Sequence, residues 1–188
     1  MALNRKGLNS DDNILADRMD DRIKQIDTST ICKVISVNTE NKTVSVLPMV
    51  QMNDLNNNPV DHALVNDIPY IRLQAGSYGI ICDPVVGDIG LVVFCSRDIS
   101  NVIKNKKVTT TGSKRTHSIS DGIYVASLLL EEPKIYLKII DETIEIKGNV
   151  TVNGNITATG DIVAGKVSLQ NHIHSNGNNG GNTGKPSG

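Results

Sequence analysis

Two periods of apolar residues divide the chain. In "NSDDNILADRMDDRIKQIDTST" the apolar residues Ile14, Leu15, Met19, Ile23 and Ile26 recur at helical spacing, with a charged opposite face. Ser10 is placed to cap such a helix, and acidic residues fill the turn after it. We therefore expect an amphipathic helix and arm over residues 1–27, which either covers its own domain or docks on a partner. From about Thr30 the period becomes two. "ICKVISVNTENKTVSVLPMVQM" reads as strand, polar turn around Asn38 to Asn41, and strand, and "DIPYIRLQAGSYGIICDPVVGDIGLVVFCSRD" adds two or three short strands between Gly and Pro breaks. Five or so strands in about 85 residues predict a small Greek-key barrel of the OB type over residues 28–118.

Beyond it, "THSISDGIYVASLLLEEP" reads as a connector over residues 119–134 with an apolar plug at Leu128 to Leu130. The alternation resumes in "KIYLKIIDETIEIKG" at Ile135, Leu137, Ile139, Ile144 and Ile146. It then passes into six-residue units, "GNVTVN", "GNITAT", "GDIVAG" and a degenerate "KVSLQN". Each full unit opens on Gly followed by Asn or Asp and carries apolar residues at its third and fifth places, an internal repeat of the β-helix kind. The inward set is Ile144, Ile146, Val150, Val152, Ile156, Ala158, Ile162, Ala164, Val167 and Leu169, and it shrinks toward the C-terminus.

One copy of such a ribbon over residues 135–170 buries too little to offset its chain entropy and leaves its edges open. A single-chain β-helix needs more coils than this length supplies. Three chains wound round one axis pair their edges and bring the apolar residues together, while the Gly-Asn and Gly-Asp steps provide turns and close approach. The alternative is a β-meander on the barrel with Gly-Asn hairpin turns, but four-residue strands in isolated hairpins are marginal in water. Inward residues run on even numbers through Ala164 and on odd numbers at Val167 and Leu169. A register slip is thus expected near Gly165 and another near Gln170 to Asn171, by bulges.

Composition narrows the classes. Four Tyr, one Phe and no Trp leave the core to Ile, Val, Leu and Ala. The balance of 19 basic and 20 acidic residues supplies no field for nucleic acid or an anionic membrane. OB-folds that bind single strands use aromatic platforms, whereas this barrel offers Tyr70, Tyr78 and Phe94 without a basic stripe. The basic cluster "KNKKVTTTGSKR" reads as a solvated loop, and no role falls to His62 or His117. No apolar run is long enough for a spanning helix, and "MALNRKGLNSDD" lacks the apolar region of a signal peptide, so synthesis in a cytoplasm is expected. Cys32, Cys82 and Cys95 lie singly in apolar strings and are expected to be buried, reduced thiols.

The end of the chain, "NHIHSNGNNGGNTGKPSG", forms a tip over residues 171–188 and carries the candidate chemistry. In extended backbone His172 and His174 share one side and Ile173 faces the other. Two imidazoles are an incomplete ligand set in one chain. Around a threefold axis they become six, an octahedral nitrogen set that suits iron, nickel or cobalt and differs from four-coordinate structural zinc. Asn171 or a backbone carbonyl is positioned to hold the second ring nitrogen.

The order of these parts, with "GKVSLQNHIHSNGNNGGNTGKPSG" as the most specific stretch, resembles the central membrane-piercing spike of contractile-tail phages and tailocins, the baseplate assembly protein V type. The resemblance implies a mainly β homotrimer with an OB-fold collar and an intertwined trimeric β-helix. It also implies one iron ion per trimer held by six histidines at the apex, His172 and His174 from each chain. It implies no catalytic residue, a partner in the baseplate hub or tail tube through the N-terminal helix and OB-fold, and a location at the baseplate tip of a virion or tailocin particle. The target would be a cell envelope, with no nucleic acid bound. The ribbon is short for this family and the tail unusually rich in Asn. Two other classes were weighed. A cell-wall hydrolase needs paired carboxylates in a cleft, and Asp141, Glu142 and Glu145 fall instead on the charged outer face of the ribbon. A receptor-binding fibre tip also uses trimeric β-structure, but fibres end in a larger head than the mostly small or polar residues from Ser175 to Gly188.

Overall fold

The computed structural model describes residues 11–24, 26–54, 56–128, 131–174, 181 and 183–184. Two compact units divide the chain between Glu132 and Pro133. Ser10, Leu129, Leu130 and most of the tail after His174 lie outside the described residues.

In the first unit, helix α1 (Asp11–Lys24) precedes strands β1 (Ser29–Asn38), β2 (Thr43–Pro48), β3 (Met52–Asn53), β4 (Pro59–Val60), β5 (Val65–Pro69), β6 (Leu73–Ala75), β7 (Tyr78–Ile80) and β8 (Ile89–Phe94). Helix α2 (Ser100–Asn105) and β9 (Gly122–Leu128) complete it. The helical period at the start is realised, and its apolar stripe is exposed, from 42% at Ile14 to 64% at Ile23.

Strand β1 organises the sheet. Its first half pairs with β8 and its second with β2, and an extra residue at Ile35, between Val34 and Ser36, bends it between the two. The order is β5-β2-β1-β8-β9, all neighbours antiparallel. A parallel bridge between Tyr70 and Tyr124 closes the sheet, where the Ile71 N–H donates to the Tyr124 carbonyl at 2.9 Å. This is the topology of a five-stranded OB-type barrel.

Strand β9 corrects the connector expected over residues 119–134. Gly122 and Ala126 flank Tyr124 and hide the alternation from a hydropathy reading, yet Tyr124 is 1% exposed and the strand pairs with β8 from Phe94↔Gly122 to Ile89↔Leu128. The barrel therefore extends to Leu128.

The buried core is Cys32, Val34, Val44, Val46, Val65, Ile68, Tyr70, Val92, Phe94 and Tyr124. Valine supplies half of it and three rings the largest volumes; of the aliphatics expected from composition Val and Ile take part, while no Leu or Ala among the described residues does. With Tyr70 and Phe94 inside, Tyr78 is the aromatic left exposed among the three barrel candidates. The two tyrosines are admitted because their hydroxyls are bonded. Tyr124 shares a 3.0 Å bond with Ser127, whose hydroxyl donates to Asp88 at 3.0 Å. Tyr70 donates to Asp83 at 2.9 Å, and Arg72 grips the same carboxylate through two 2.7 Å bonds. Gly90 is required beneath Tyr124, since a Cβ there would collide with the phenol oxygen and the Ala126 carbonyl.

Burial pushes the Cys32 thiol up to about 11, which keeps it inert. Cys95 is half-buried. Cys82 corrects the expectation of three buried thiols: it is exposed, on a loop whose apolar neighbours Ile80 and Ile81 are exposed as well.

A polar latch fastens the segment between α2 and β9. The Asp98 carboxylate accepts the Ser100 and Ser113 hydroxyls at 2.6 Å each, and Arg115 reaches both Asp98 at 3.2 Å and the buried Asp121 at 3.0 Å. Lys104 at the end of α2 and Lys106, Lys107 and Lys114 on the loop after it remain exposed.

The second unit opens with a hairpin of β10 (Tyr136–Ile140) and β11 (Thr143–Lys147). Its two-residue turn, Asp141 and Glu142 with φ of 43° and 62°, matches the strand twist as a type I′ turn does. Leu137 pairs with Ile146 and Ile139 with Ile144, which puts four aliphatic side chains on one face. On the other face the Tyr136 hydroxyl donates to Glu145 at 2.9 Å and Lys147 lies over the Tyr136 ring.

From residue 149 to 161 the chain forms no ladder among the described residues. It bends at Gly148, Asn153–Gly154 and Thr159–Gly160, the six-residue steps of the repeat. A small hairpin of β12 (Val163–Ala164) and β13 (Val167–Ser168) follows, joined by Gly165 and Lys166 with Gly165 at φ 63°. The two register slips are thus turns, not bulges. Ala164 and Val167 face each other across the first, and the turn at residues 169–171, closed by the His172 N–H to the Ser168 carbonyl at 3.1 Å, makes the second.

Two outcomes test the barrel. Ile68→Ala should lower stability by about 2–5 kcal/mol, and Ile81→Ala, on an exposed residue, by under about 0.5 kcal/mol; urea unfolding measures both. Acid should weaken the barrel in a definite window. The Ser100 and Ser113 hydroxyls hold the Asp98 carboxyl down at about 2. At Asp83 partial burial opposes the charge, but bonds from Arg72 and Tyr70 outweigh it and keep the carboxyl below its usual range. Both carboxyls are depressed by folding, so their stabilisation is complete above the ordinary carboxylate range near pH 4 and is lost as pH falls toward 2. The midpoint of thermal unfolding should be level from pH 7 to 5 and fall below 4, with a shallower fall in Asp98→Asn; an equally steep fall in that variant would refute the assignment.

Candidate metal centre

His172 and His174 stand immediately after the second turn. The first half of the repeat brings the chain to this turn by its Gly steps, and the β12–β13 hairpin aims it. The two rings meet edge to face, with centroids 5.1 Å apart and planes at 86°. His172 is half-buried and His174 exposed, beside a shallow recess bordered by Lys166, Val167 and Ser168.

The hydrogen bonds of His172 decide its chemistry. Its Nδ1 lies 2.9 Å from the Ser168 carbonyl and 3.1 Å from that of Leu169. Carbonyl oxygens only accept, so Nδ1 carries the proton and Nε2 keeps a lone pair for a metal. This is the arrangement in which a backbone carbonyl orients a ligating imidazole. Of the two partners the sequence offered for a ring nitrogen, the carbonyl is used here; Asn171 instead directs its N–H and its amide to the Ser168 hydroxyl, at 2.9 and 3.1 Å.

His174 is held from the far side. Its N–H donates to the Thr183 hydroxyl and the Thr183 N–H donates to its carbonyl, each at 2.9 Å. Thr183 therefore lies against His174 through both its backbone and its side chain.

One chain supplies two imidazoles and no more. No group of three or more His, Cys, Asp or Glu gathers among the described residues. A structural metal takes four or six ligands, so the donor set fits a metal only where chains are combined. The prepared Nε2 of His172 is what makes that fit chemically reasonable.

The ten inward residues predicted from the repeat are all exposed in a single chain, at 69% for Ile156 and 44% for Ile162 among the large ones. The hairpins bring together Ile144 and Ile146 with their partners on one face, and Ala164 with Val167. Val150, Val152, Ile156 and Ala158 find no ladder partner, and Leu169 returns to the hairpin through its N–H, which donates to the Ile162 carbonyl at 2.9 Å. Asp141 and Glu142 form the β10–β11 turn, and Glu145 is engaged by Tyr136. Sequence reasoning missed one contributor with a visible signal. Asp161 occupies the place held by Asn149 and Asn155 in the two preceding units, and its carboxylate accepts the Gln170 N–H at 3.1 Å.

No curated protein matches the chain. A family model does: the N-terminal domain of phage protein Gp138 matches residues 31–127, which runs from early β1 to the penultimate residue of β9 and so coincides with the barrel. The family is one of phage baseplate and spike-like proteins, which makes this a phage tail or baseplate protein and supports a component of the virion. It is matched here in place of the assembly protein V type that the sequence resembled. With just over half of its 188 residues covered by that model, the chain belongs to the Gp138 N-terminal domain family of phage proteins.

Proposed function

We propose that the protein is the central spike of a contractile phage tail or tailocin, a homotrimeric needle that pierces the target envelope when the sheath contracts. The observation that carries this reading is the exposed apolar face of the second unit. Leu137, Ile139, Ile144 and Ile146 lie side by side at 55–75% exposure and lead into a ribbon of six-residue steps. Apolar surface of that kind, on strands with open edges, calls for identical neighbours. Three chains around an axis would bury it as an intertwined β-helix and would bring six imidazoles to one point.

The histidines then have a mechanical role. A metal ion supplies a bond between three chain ends at the place where they would otherwise peel apart, and His172 and His174 of each chain would hold it. Iron is the metal that the resemblance implies. No active site is needed, since sheath contraction supplies the force and the spike has only to stay folded. The exposed stripe of α1 and the barrel are the surfaces through which the hub or tube would be engaged.

Mass and metal content of one purified sample test the reading. A mass of three chains of 20.2 kDa with one metal ion is expected, and a metal-free monomer would sink it. His172→Ala with His174→Ala should abolish the metal while leaving the barrel folded. Replacing Ile139 and Ile144 by Asp should convert the trimer to monomer with the barrel's urea transition unchanged. Specific binding of the isolated trimer to host cells would point instead to a receptor-binding fibre tip.

A further inference from the structure

Asp161 is where the six-residue pattern changes from amide to carboxylate, and the change has a partner. Its carboxylate accepts the Gln170 N–H at 3.1 Å, inside the turn that precedes the histidines. In the same turn the Ser168 hydroxyl oxygen accepts the N–H and the amide of Asn171. The carbonyl of the same Ser168 accepts both the backbone N–H of His172, at 3.1 Å, and its ring Nδ1–H, at 2.9 Å. The turn that Asp161 anchors at Gln170 thus holds the imidazole through the Ser168 carbonyl.

We propose that Asp161, acting through the turn it anchors at Gln170, is a positioning residue that fixes the tautomer and ring orientation of His172 and so presents its Nε2 as a ligand before any metal binds. The proposal rests on the six-histidine reading above. A carboxylate does this better than the amide it replaces. It has two oxygens that only accept, and hydrogen bonds to an ionised acceptor are roughly twice as strong as neutral ones. In Asn149 and Asn155, which precede ribbon steps without histidines, no such demand arises. On a threefold axis the effect is multiplied, since each of three chains sets one imidazole in advance and the metal pays no ordering cost for those rings.

The test uses the full chain in four forms, wild type, Asp161→Ala, Asp161→Asn and Ser168→Ala, with ferrous iron alone as the probe. Competition against a chelator gives the affinity, and nitrogen chemical shifts of the metal-free histidines give the tautomer. Asp161→Ala and Ser168→Ala should weaken iron by about 10- to 100-fold and turn the His172 ring from the Nδ1–H form to a mixture. Asp161→Asn should recover part of both. A wild-type affinity and an unchanged tautomer in Asp161→Ala would overturn the proposal, as would a loss of iron with the tautomer intact, which would mark Asp161 as a support of the fold alone. Should Asp161→Ala no longer assemble, Asp161→Asn decides on the same two readings. Iron-free wild-type protein whose tautomer still depends on Asp161 would overturn the six-histidine reading and leave the ring-setting contact standing, so the two failures are separable.

Discussion

A β-strand must pair its edges or leave them to water, and the two units of this chain meet that constraint in opposite ways. In the barrel the chain closes on itself. β1 bends at Ile35 so that one strand serves two neighbours, and the Tyr70–Tyr124 bridge joins the last free edges. Every other feature of the barrel follows from this closure. Gly90 is small because the Tyr124 ring crosses it, the tyrosines enter a valine core because Asp83 and Ser127 receive their hydroxyls, and the latch at Asp98 and Asp121 holds down the long segment that returns for β9. The second unit has no such solution in one chain. Its strands are short, its apolar face is open, and its two histidines are fewer ligands than a structural metal takes.

Much of this was legible in the sequence because side-chain period reports directly on which face is buried. The helix, the β1–β2 hairpin, the apolar face of β10–β11 and the six-residue steps were all readable as period. What failed did so where period is interrupted or where size matters more than hydropathy. β9 was missed because Gly122 and Ala126 occupy its alternation, yet their smallness is the reason that Tyr124 fits. The core was expected from Ile, Val, Leu and Ala because rings are scarce, whereas the barrel packs β-branched Val and Ile with three of those few rings. Cys82 sits in an apolar string that folds outward, and composition cannot tell an apolar strand from an apolar surface loop.

The candidate site was legible in its ligands and not in their support. Histidine type and spacing are written in the sequence; the Ser168 and Leu169 carbonyls that hold the His172 ring belong to the backbone and leave no residue signature. The register slips were foreseeable from the parity of apolar positions, but their form was not, since a bulge and a tight hairpin shift parity alike. Gly165 at positive φ selects the hairpin. Asp161 lies between these cases. It was visible as a departure from the repeat, and only the hydrogen bond from Gln170 gives the departure a meaning.

A repeat of identical steps also carries a hazard that the trimer reading must answer. Ribbons with a six-residue period can slip by one unit against one another and still match Gly to Gly and apolar to apolar. The elements at the two ends are the ones that do not repeat. The β10–β11 hairpin carries Leu and Ile pairs that no later step can replace, and the Asp161-anchored turn sets the histidines at one height only. A slip would set Ile139 and Ile144 against the smaller valines and would stagger the imidazoles along the axis, so that six could no longer meet at one metal. In the proposed trimer the ends would thus fix the register that the middle leaves free, and a metal bond, available in one register alone, would make that choice cooperative among three chains.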